Sequence, residues 1–231
     1  MGTLQEHISL SVVIPTLDAA GELPATLAAL SSAPLIGEII VADGGSADAT
    51  VAIARAAGAR VVSAARGRGM QLAAGGAAAS GDWLLFLHVD CRPAAGWENA
   101  VATFVVAPGA AERAGYFAFA LDAPGRAARR LERIVAWRCR CLALPYGDQG
   151  LLVARALYDR VGGFAALPLM EDVEFVRRLG RARLTPLAAP LYASARRYQE
   201  GGYIRRPLRN LLCLSLYFLG VPARHIARLY G

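Results

Sequence analysis

Short apolar runs alternate with helical stretches over the first 93 residues of the chain. Four runs rich in β-branched and aliphatic residues are predicted strands, at residues 8–14, 38–42, 60–63 and 83–88. Helical patterns lie between them, at residues 22–30, at 48–57 and between 66 and 81. This alternation is typical of a parallel sheet with helical crossovers, so the chain is predicted to have an α/β fold.

Beyond residue 93 the alternation loosens. Two further strands are predicted, at residues 116–121 and 151–154. Helices are predicted at residues 96–106, 126–142, from 171 onward, 208–219 and 223–230. The chain has 231 residues and no internal repeat or linker. A single domain with a helical C-terminal part is expected, since a chain of this size can bury roughly 70 % of its unfolded surface.

The net charge of +7 is unevenly distributed. Residues 1–112 hold 5 arginines and 10 acidic residues, whereas residues 113–231 hold 20 arginines and 8 acidic residues, and the chain has no lysine. An arginine-rich half suits phosphate groups or an anionic membrane surface. Nucleic acid is not an expected partner, because the basic residues are not interleaved with aromatic ones and no recognition motif is present.

Several classes of protein are excluded by signals that the sequence lacks. No apolar run reaches the ~18 residues that a membrane-spanning helix requires, and the N-terminus lacks the pattern of a signal peptide. The four cysteines show neither a CxxC pair nor zinc-site spacing. Neither GxGxxG nor a lysine-containing P-loop follows the first strand, which argues against a dinucleotide-dependent dehydrogenase and a P-loop enzyme. A cytoplasmic protein with reduced cysteines is expected.

Acidic residues follow three of the predicted strands, namely Asp18, Asp43 and Asp90. Ligands of open α/β sheets bind beyond the carboxyl ends of the strands, where a carboxylate can hydrogen-bond a ribose or hold a cation on a diphosphate. His88 and Asp90 are two residues apart, so they point to the same side of an extended backbone. The alternative for each aspartate is a role in a turn or a helix cap, which aspartate often has.

Five segments occur in a characteristic order along the chain: VVIPTLD at 12–18, EIIVADGGS at 38–46, SGDWLLFLHVD at 80–90, VGGF at 161–164 and EDVE at 171–174. Together they resemble family 2 glycosyltransferases with the GT-A fold, and the resemblance covers nearly the whole chain. PYGDQG at 145–150 and SARR at 194–197 are similar to a bacterial subgroup labelled arsenosugar-biosynthesis-type glycosyltransferases.

The resemblance implies a GT-A fold, that is, a Rossmann-like and mostly parallel central sheet flanked by helices. It divides the single domain of residues 1–231 into a nucleotide-sugar donor half, residues 1–112, and an acceptor half, residues 113–231. The implied reaction moves a sugar from a nucleotide-diphosphate sugar to an acceptor hydroxyl, with inversion at the sugar carbon. The acceptor is unknown.

The same resemblance implies site residues by their position in this sequence. The donor would contact Pro15, Thr16, Leu17, Asp18, Asp43, Gly44, Arg66, Arg68, Arg196 and Arg197. Asp90 with His88 would bind a divalent cation, Mn²⁺ or Mg²⁺, and an imidazole ligand favours Mn²⁺. Of the acidic pair Glu171 and Asp172, chiefly Asp172 would be the catalytic base that takes the proton of the acceptor hydroxyl. The acceptor would contact Tyr146, Asp148 and Gln149.

Three positions depart from the family pattern. His88 replaces the first acid of Asp-x-Asp, Gly44 replaces the second acid of Asp-Asp-Gly-Ser, and Ala73 stands where many members carry asparagine. Two alternatives therefore stay open. One is a nucleotide-sugar-binding protein without turnover. The other is a transferase that acts on a lipid phosphate at the inner membrane face, suggested by the basic second half and the apolar residues 208–219.

Overall fold

The computed structural model describes residues 8–230, except for the side chains of Arg197 and Glu200. Within that range the strands form one eight-stranded sheet. The strands are β1 Leu10–Thr16, β2 Ile36–Asp43, β3 Arg60–Ser63, β4 Trp83–Phe86, β5 Cys91–Pro93, β6 Ala114–Leu121, β7 Leu151–Ala154 and β8 Leu184–Ala193. Their order across the sheet is β3-β2-β1-β4-β7-β6-β8-β5.

Helices flank this sheet and make up the end of the chain. They are α1 Leu23–Leu30, α2 Thr50–Ala56, α3 Arg68–Ala78, α4 Trp97–Val105, α5 Arg126–Leu142, α6 Arg155–Arg160, α7 Glu171–Leu179, α8 Arg196–Gly201, α9 Arg205–Phe218 and α10 Ala223–Tyr230. The described part of the chain holds no helix with the length and apolar character needed to cross a bilayer.

The pairing of strands is parallel in the first part of the chain and mixed in the second. β1 lies between β2 and β4 and runs parallel to both, and β3 is parallel to β2. β7 is antiparallel to β4 and to β6, β8 is parallel to β6, and β5 is antiparallel to β8. The predicted α/β class with a mostly parallel sheet is therefore confirmed.

The centre of the sheet is covered on both faces. Every residue of β1 and of β4 is buried, as expected for strands that read as continuous apolar runs. The helix α3 lies close against β1 because Gly75 has no side chain: a Cβ there would overlap the side chain of Val13. This close packing brings the start of α3, which carries Arg68, to the carboxyl edge of the sheet.

Observed elements match the predicted ones with ends that differ by at most three residues. Pro15 does not end the first strand. Pro15 continues β1 and pairs with Ala42 of β2. On the other side of β1, the strand β4 already ends opposite Val13. The N–H that proline lacks therefore faces no partner strand on the β4 side. β4 ends at Phe86, two residues before the predicted end, which leaves His88 in the following loop.

The longest strand, β8, is absent from the prediction, as are the short elements β5, α6 and α8. Pro186 and Pro190 interrupt the strand pattern of β8. On one side of β8, the short β5 pairs only with residues 191–193. On the other side, the pairing of β8 with β6 is irregular between Tyr116 and Ala118, which lie opposite the two prolines. Both prolines are therefore tolerated where a regular ladder is not required.

Candidate active site

A cleft with an empty volume of about 760 Å³, its open mouth included, lies beside the loop that follows β4. Side chains reach it from the start of α3, from the β4 loop, from residues 145–150 and from the start of α7. They include Arg68, His88, Asp90, Tyr146, Asp148 and Asp172. Segments far apart in the sequence therefore converge at one edge of the sheet, which is where open α/β sheets bind ligands.

Asp172 lies in the first turn of α7, where the helix dipole favours a carboxylate. Its Oδ2 accepts a hydrogen bond from the backbone N–H of Gly147 at 2.8 Å, and its Oδ1 accepts one from the N–H of Val173 at 2.8 Å. Each carboxylate oxygen has a further lone pair, so the group can still accept a proton from a bound hydroxyl. Asp172 is thus held in place and faces the cleft.

Glu171 has a different environment. Its side chain is fully buried and forms an ion pair with Arg68, while its Oε2 is buried with no hydrogen-bond partner among the described residues. Burial raises the pKa of Glu171, and Arg68 opposes the shift. Glu171 does not line the cleft, so of the two predicted acids only Asp172 faces it.

Arg68 is the one predicted donor arginine that the structure places in the cleft, among those whose side chains it describes. Its guanidinium lies 3.6 Å from Oδ2 of Asp172 as well as against Glu171. Burial works against its charge, but the carboxylates of Glu171 and Asp172 hold the pKa of Arg68 above its ordinary value. This arginine therefore remains a permanent cation beside the candidate base.

The other predicted donor arginines lie elsewhere. Arg66 is exposed just before α3. Arg196 is exposed at the start of α8 and pairs with Glu22 at 3.2 Å. The side chain of Arg197 lies outside the described part of the chain. Neither Arg66 nor Arg196 lines the cleft.

His88 connects the arginine to the predicted metal ligand. Its Nε2 lies 3.0 Å from the guanidinium of Arg68, and its Nδ1 lies 3.3 Å from Oδ1 of Asp90. An arginine can only donate, so Nε2 accepts and Nδ1 carries the hydrogen that faces Asp90. Both ring nitrogens are therefore engaged, and the ring cannot ligate a metal in this arrangement.

A cation at this site would have few protein ligands. Among the side chains that the structure describes, no three His, Cys, Asp or Glu residues are grouped so that they could hold a metal ion. Asp90 lines the cleft and supplies carboxylate oxygens, the donors that Mg²⁺ and Mn²⁺ take. The residues present fit a cation that takes its remaining ligands from a bound anion and water.

Asp43 organises the loop after β2. Its carboxylate accepts hydrogen bonds from the hydroxyl of Thr16 at 3.2 Å, from the N–H groups of Gly45 and Ser46 at 2.9 Å each, and from Oγ of Ser46 at 2.5 Å. Burial alone would raise the pKa of Asp43, but these bonds together hold it below its ordinary value. The predicted nucleoside-binding acid is thus also a turn residue.

Asp18 ties the first two loops together. Its Oδ1 accepts the N–H of Ala47 at 2.7 Å, its own N–H donates to Oγ of Ser46 at 2.9 Å, and its φ of +48° is in the left-handed region that aspartate tolerates. Leu17 beside it is half-buried.

The position of Gln71 in α3 explains why residue 44 is a glycine. The Gln71 amide donates to the carbonyl oxygens of Thr16 and Ala42, and a Cβ at Gly44 would lie 2.9 Å from its Nε2. Gln71 therefore fills the space of the missing second acid. The sequence interpretation did not single it out.

The early donor residues form a ledge separate from the cleft. This ledge consists of the buried residues Pro15, Thr16, Asp43 and Gly44, the half-buried Leu17 and the exposed Asp18, at the carboxyl ends of β1 and β2. None of the six lines the cleft around Asp172, although β1 is the direct neighbour of β4. The predicted donor residues are thus divided between the ledge, the cleft and the exposed surface.

Of the three predicted acceptor residues, two line the cleft and one does not. Tyr146 lines the cleft, and the Arg138 guanidinium lies 3.4 Å from its ring centroid. Asp148 lines it too, with Oδ1 buried and unpaired among the described residues; burial raises the pKa of Asp148, and the Arg138 guanidinium opposes the shift. Gln149 is 2 % exposed, and its amide is used within the fold by Arg138 at 3.0 Å and by the Phe117 carbonyl at 3.1 Å. The structure does not bring Gln149 to the cleft.

Four further lining residues come from the C-terminal helices: Tyr198, Arg206, Asn210 and Tyr230. Arg206 lies over the ring of Tyr198 at 5.7 Å and donates to the Tyr230 hydroxyl at 3.4 Å. Oδ1 of Asn210 is buried and has no partner in the described range. Sequence interpretation missed these residues. The available signal was the i, i+4 spacing of Arg206 and Asn210, which puts two polar groups on one face of the helix.

The sequence model of the family described as Glycosyl transferase family 2 matches residues 11–116. Residues 11–116 are thus similar to family 2 glycosyltransferases. This match contains the ledge, Arg68, His88 and Asp90 and covers slightly less than half of the chain. The resemblance seen in the sequence is therefore confirmed for residues 11–116, and the segments at 161–164 and 171–174 lie outside the match. No curated protein matches the chain.

Solved structures of glycosyltransferases share the fold. Glucosyl-3-phosphoglycerate synthase from Mycobacterium tuberculosis, in complex with Mn²⁺, UDP and glucosyl-3-phosphoglycerate, has 24 % identity and a TM-score of 0.62, covering 95 % of this chain and 82 % of that one. Mannosyl-3-phosphoglycerate synthase from Rubrobacter xylanophilus has 18 % identity and a TM-score of 0.62, covering 94 % and 79 %. The first enzyme has also been solved with Mg²⁺ and UDP. At these identities the likeness shows the fold, and the predicted GT-A architecture is confirmed.

Proposed function

We propose that the chain is an inverting, metal-dependent glycosyltransferase that moves a sugar from a nucleotide-diphosphate sugar to an acceptor hydroxyl. The observation that carries the proposal is the convergence of Asp90, Arg68 and Asp172 on one cleft, in a chain with a family 2 region and the GT-A fold. The donor nucleoside would lie along the ledge, with its diphosphate directed toward Asp90.

In the proposed reaction Asp172 is the catalytic base. The acceptor oxygen attacks the anomeric carbon of the sugar while its proton passes to the Asp172 carboxylate. The bond from that carbon to the diphosphate oxygen breaks on the opposite side, so the configuration inverts. A positioned base of this kind contributes about 10²–10⁴-fold to the rate. The Gly147 N–H holds the carboxylate in place, which serves that role.

The proposed cation would be held by Asp90, and when bound it would stabilise the negative charge of the leaving diphosphate. Solved relatives contain Mn²⁺ or Mg²⁺ together with UDP. The expected preference for Mn²⁺ depends on His88 as a ligand. Because both nitrogens of that ring are engaged, the structure gives this preference no support.

The cleft suits an acceptor with several hydroxyl groups. The buried oxygens of Asp148 and Asn210 lack partners in the described range and can accept hydrogen bonds from hydroxyls. Asp90, Asp148 and Asp172 supply three carboxylates to the lining, against two arginines. A neutral polyol therefore fits this lining better than a highly charged acceptor such as the phosphoglycerate of the relatives.

The test combines donor binding with donor turnover. UDP-, GDP- and dTDP-sugars are screened by thermal shift with and without Mn²⁺ or Mg²⁺, since a ligand at ~100 times its dissociation constant adds ~2.7 kcal/mol to stability. Hydrolysis or transfer of the bound donor is then measured. Asp172→Asn should lose about 10²–10⁴-fold in turnover and still bind donor. Asp159→Asn, an exposed acid of α6 outside the cleft, is the matched control.

Two outcomes would contradict the proposal. Undiminished turnover in Asp172→Asn would show that Asp172 is not the catalytic base. Donor binding without any turnover in the unaltered protein would indicate the alternative of a non-catalytic nucleotide-sugar-binding protein. The alternative of a transferase that acts on a lipid phosphate differs only in the acceptor. Such an enzyme must contact a membrane, and α9 and α10 next to the cleft present a surface of the kind that this contact requires.

A further inference from the structure

An apolar stripe covers the outer side of α9 and α10. Of the twelve large hydrophobic side chains that are exposed among the described residues, seven lie between residues 204 and 229, each with 49–79 % of its surface exposed. They are Ile204, Leu208, Leu211, Leu212, Phe218, Leu219 and Leu229. Along α9, Leu208 is three and four residues from Leu211 and Leu212, and Phe218 is seven residues beyond Leu211, so these side chains share one helix face.

The same segment is strongly basic. Residues 201–230 contain five arginines and no acidic residue. Arg205 and Arg209 of α9 and Arg224 and Arg228 of α10 are exposed beside the stripe, whereas the fifth, Arg206, lines the cleft. An apolar helix face bordered by arginines is typical of helices that lie in the surface of an anionic bilayer.

The inner side of α9 fixes the helix to the protein. Cys213 and Leu214 are buried in a cluster with Ile226 of α10 and with Val173 and Val176 of α7. Arg206 and Asn210 line the cleft from the same helix. The stripe is therefore the opposite face of an anchored, 14-residue helix that is too short to span a bilayer.

We propose that the outer face of α9 and α10 is a docking surface for an anionic lipid bilayer. The positive charge of this face favours an anionic bilayer over a second copy of the chain. A second copy would bring arginines against arginines, whereas acidic lipid headgroups carry the opposite charge. The helix would lie along the membrane surface with its leucines in the interface. The proposal does not depend on the transferase reaction, because it concerns a face that no substrate-binding residue occupies.

Co-sedimentation of the full chain with vesicles tests the proposal. The protein should sediment with phosphatidylcholine vesicles that contain phosphatidylglycerol and stay in solution with phosphatidylcholine alone. Binding should fall at about 1 M salt, where the Debye length is ~3 Å. The double variant Leu211→Glu, Leu212→Glu should lower the partition coefficient for anionic vesicles at least tenfold, and Arg205→Gln, Arg209→Gln should lower it as well.

Val106→Glu is the matched control, because Val106 is similarly exposed but follows α4, and it should bind vesicles like the unaltered chain. Circular dichroism and donor thermal shifts without vesicles show whether each variant is folded. No sedimentation with anionic vesicles at low ionic strength would overturn the proposal. Self-association in ultracentrifugation that the double leucine variant abolishes, without vesicle binding, would overturn it as well and assign the face to a dimer.

Discussion

Nε2 of His88 lies 3.0 Å from the Arg68 guanidinium, which fixes the tautomer of the ring and turns Nδ1–H toward Asp90. Arg68 in turn contacts Glu171 and lies near Asp172. The candidate base and the candidate metal ligand are therefore connected through an arginine and an imidazole. The histidine that replaces the first acid of Asp-x-Asp acts here as a connector between charged groups.

Replacing this connector by an acid should change the use of metal. In His88→Asp a second carboxylate lies two residues from Asp90, and oxygen ligands are those that Mg²⁺ prefers. We expect the Mg²⁺ concentration for half-maximal turnover to fall about tenfold. Turnover measured against Mg²⁺ and Mn²⁺ checks this, with His225→Asp on α10 as control. An unchanged Mg²⁺ dependence would show that position 88 does not face the cation.

Arg68→Lys should reduce turnover without unfolding the protein. A lysine ammonium is a single point of charge and cannot contact Glu171, Asp172 and His88 at once, as the guanidinium fork does. Misplacement of the base by about 1 Å can cost ~10²-fold, so we expect kcat to fall by up to that factor while the donor KM changes little. Arg66→Lys, at an exposed residue just before α3, should leave kcat unchanged. Equal losses in both variants would contradict this assignment.

Several features of the site could be predicted because they depend on local pattern. Parallel strands buried on both faces leave long apolar runs, and their polar ends must meet at one edge of the sheet. That reasoning pointed to Asp90, whereas the role of Asp172 was implied only by the resemblance to family 2 glycosyltransferases. The short length of β4 and the contacts that engage His88 depend on tertiary packing and leave no periodic signal.

Other features could not be predicted from the sequence for physical reasons. An aspartate that binds a ligand and one that closes a turn look alike, and Asp43 accepts hydrogen bonds from its own loop. β8 could not be predicted because Pro186 and Pro190 interrupt its strand pattern, and only the irregular pairing of β8 with β6 tolerates them. Arg206 and Asn210 reach the cleft only because α9 folds back over it.

Asp148→Asn should stabilise the protein near neutral pH. Burial raises the pKa of Asp148, so its contribution to stability is complete below the unfolded-state pKa, ~3.9, and is lost as pH rises through the folded-state pKa. The amide cannot ionise, and we expect a gain of about 0.5–2 kcal/mol at pH 8 that disappears toward pH 4. Urea unfolding at both pH values measures it. Lower stability at pH 8 would contradict the expectation.

Asp43→Asn should show the opposite dependence on pH. Hydrogen bonds from Ser46, Gly45 and Thr16 outweigh burial and lower the pKa of Asp43, so its stabilising effect is complete above the unfolded-state pKa, ~3.9, and is lost as pH falls through the folded-state pKa. We expect a loss of about 1.5–3 kcal/mol at pH 7, the usual range for hydrogen bonds to a charged group. The difference between the two proteins should shrink below pH 4 in unfolding experiments. A constant difference would show that the charge is not involved.

Gly69→Ala tests whether close packing at the start of α3 positions Arg68. The Gly69 N–H donates to the carbonyl oxygen of Leu167 at 3.1 Å, and a Cβ at this residue would lie 2.5 Å from that same oxygen. The backbone must move to relieve this contact, so we expect about 1–3 kcal/mol of destabilisation. Turnover should fall as well, because Arg68 is the preceding residue. Gly21→Ala is the control, since a Cβ at Gly21 has no atom within 4 Å and its φ is not positive. Thermal unfolding and kcat of the two variants separate the effects. A destabilised Gly69→Ala with unchanged kcat would mean that the position of Arg68 does not depend on this contact.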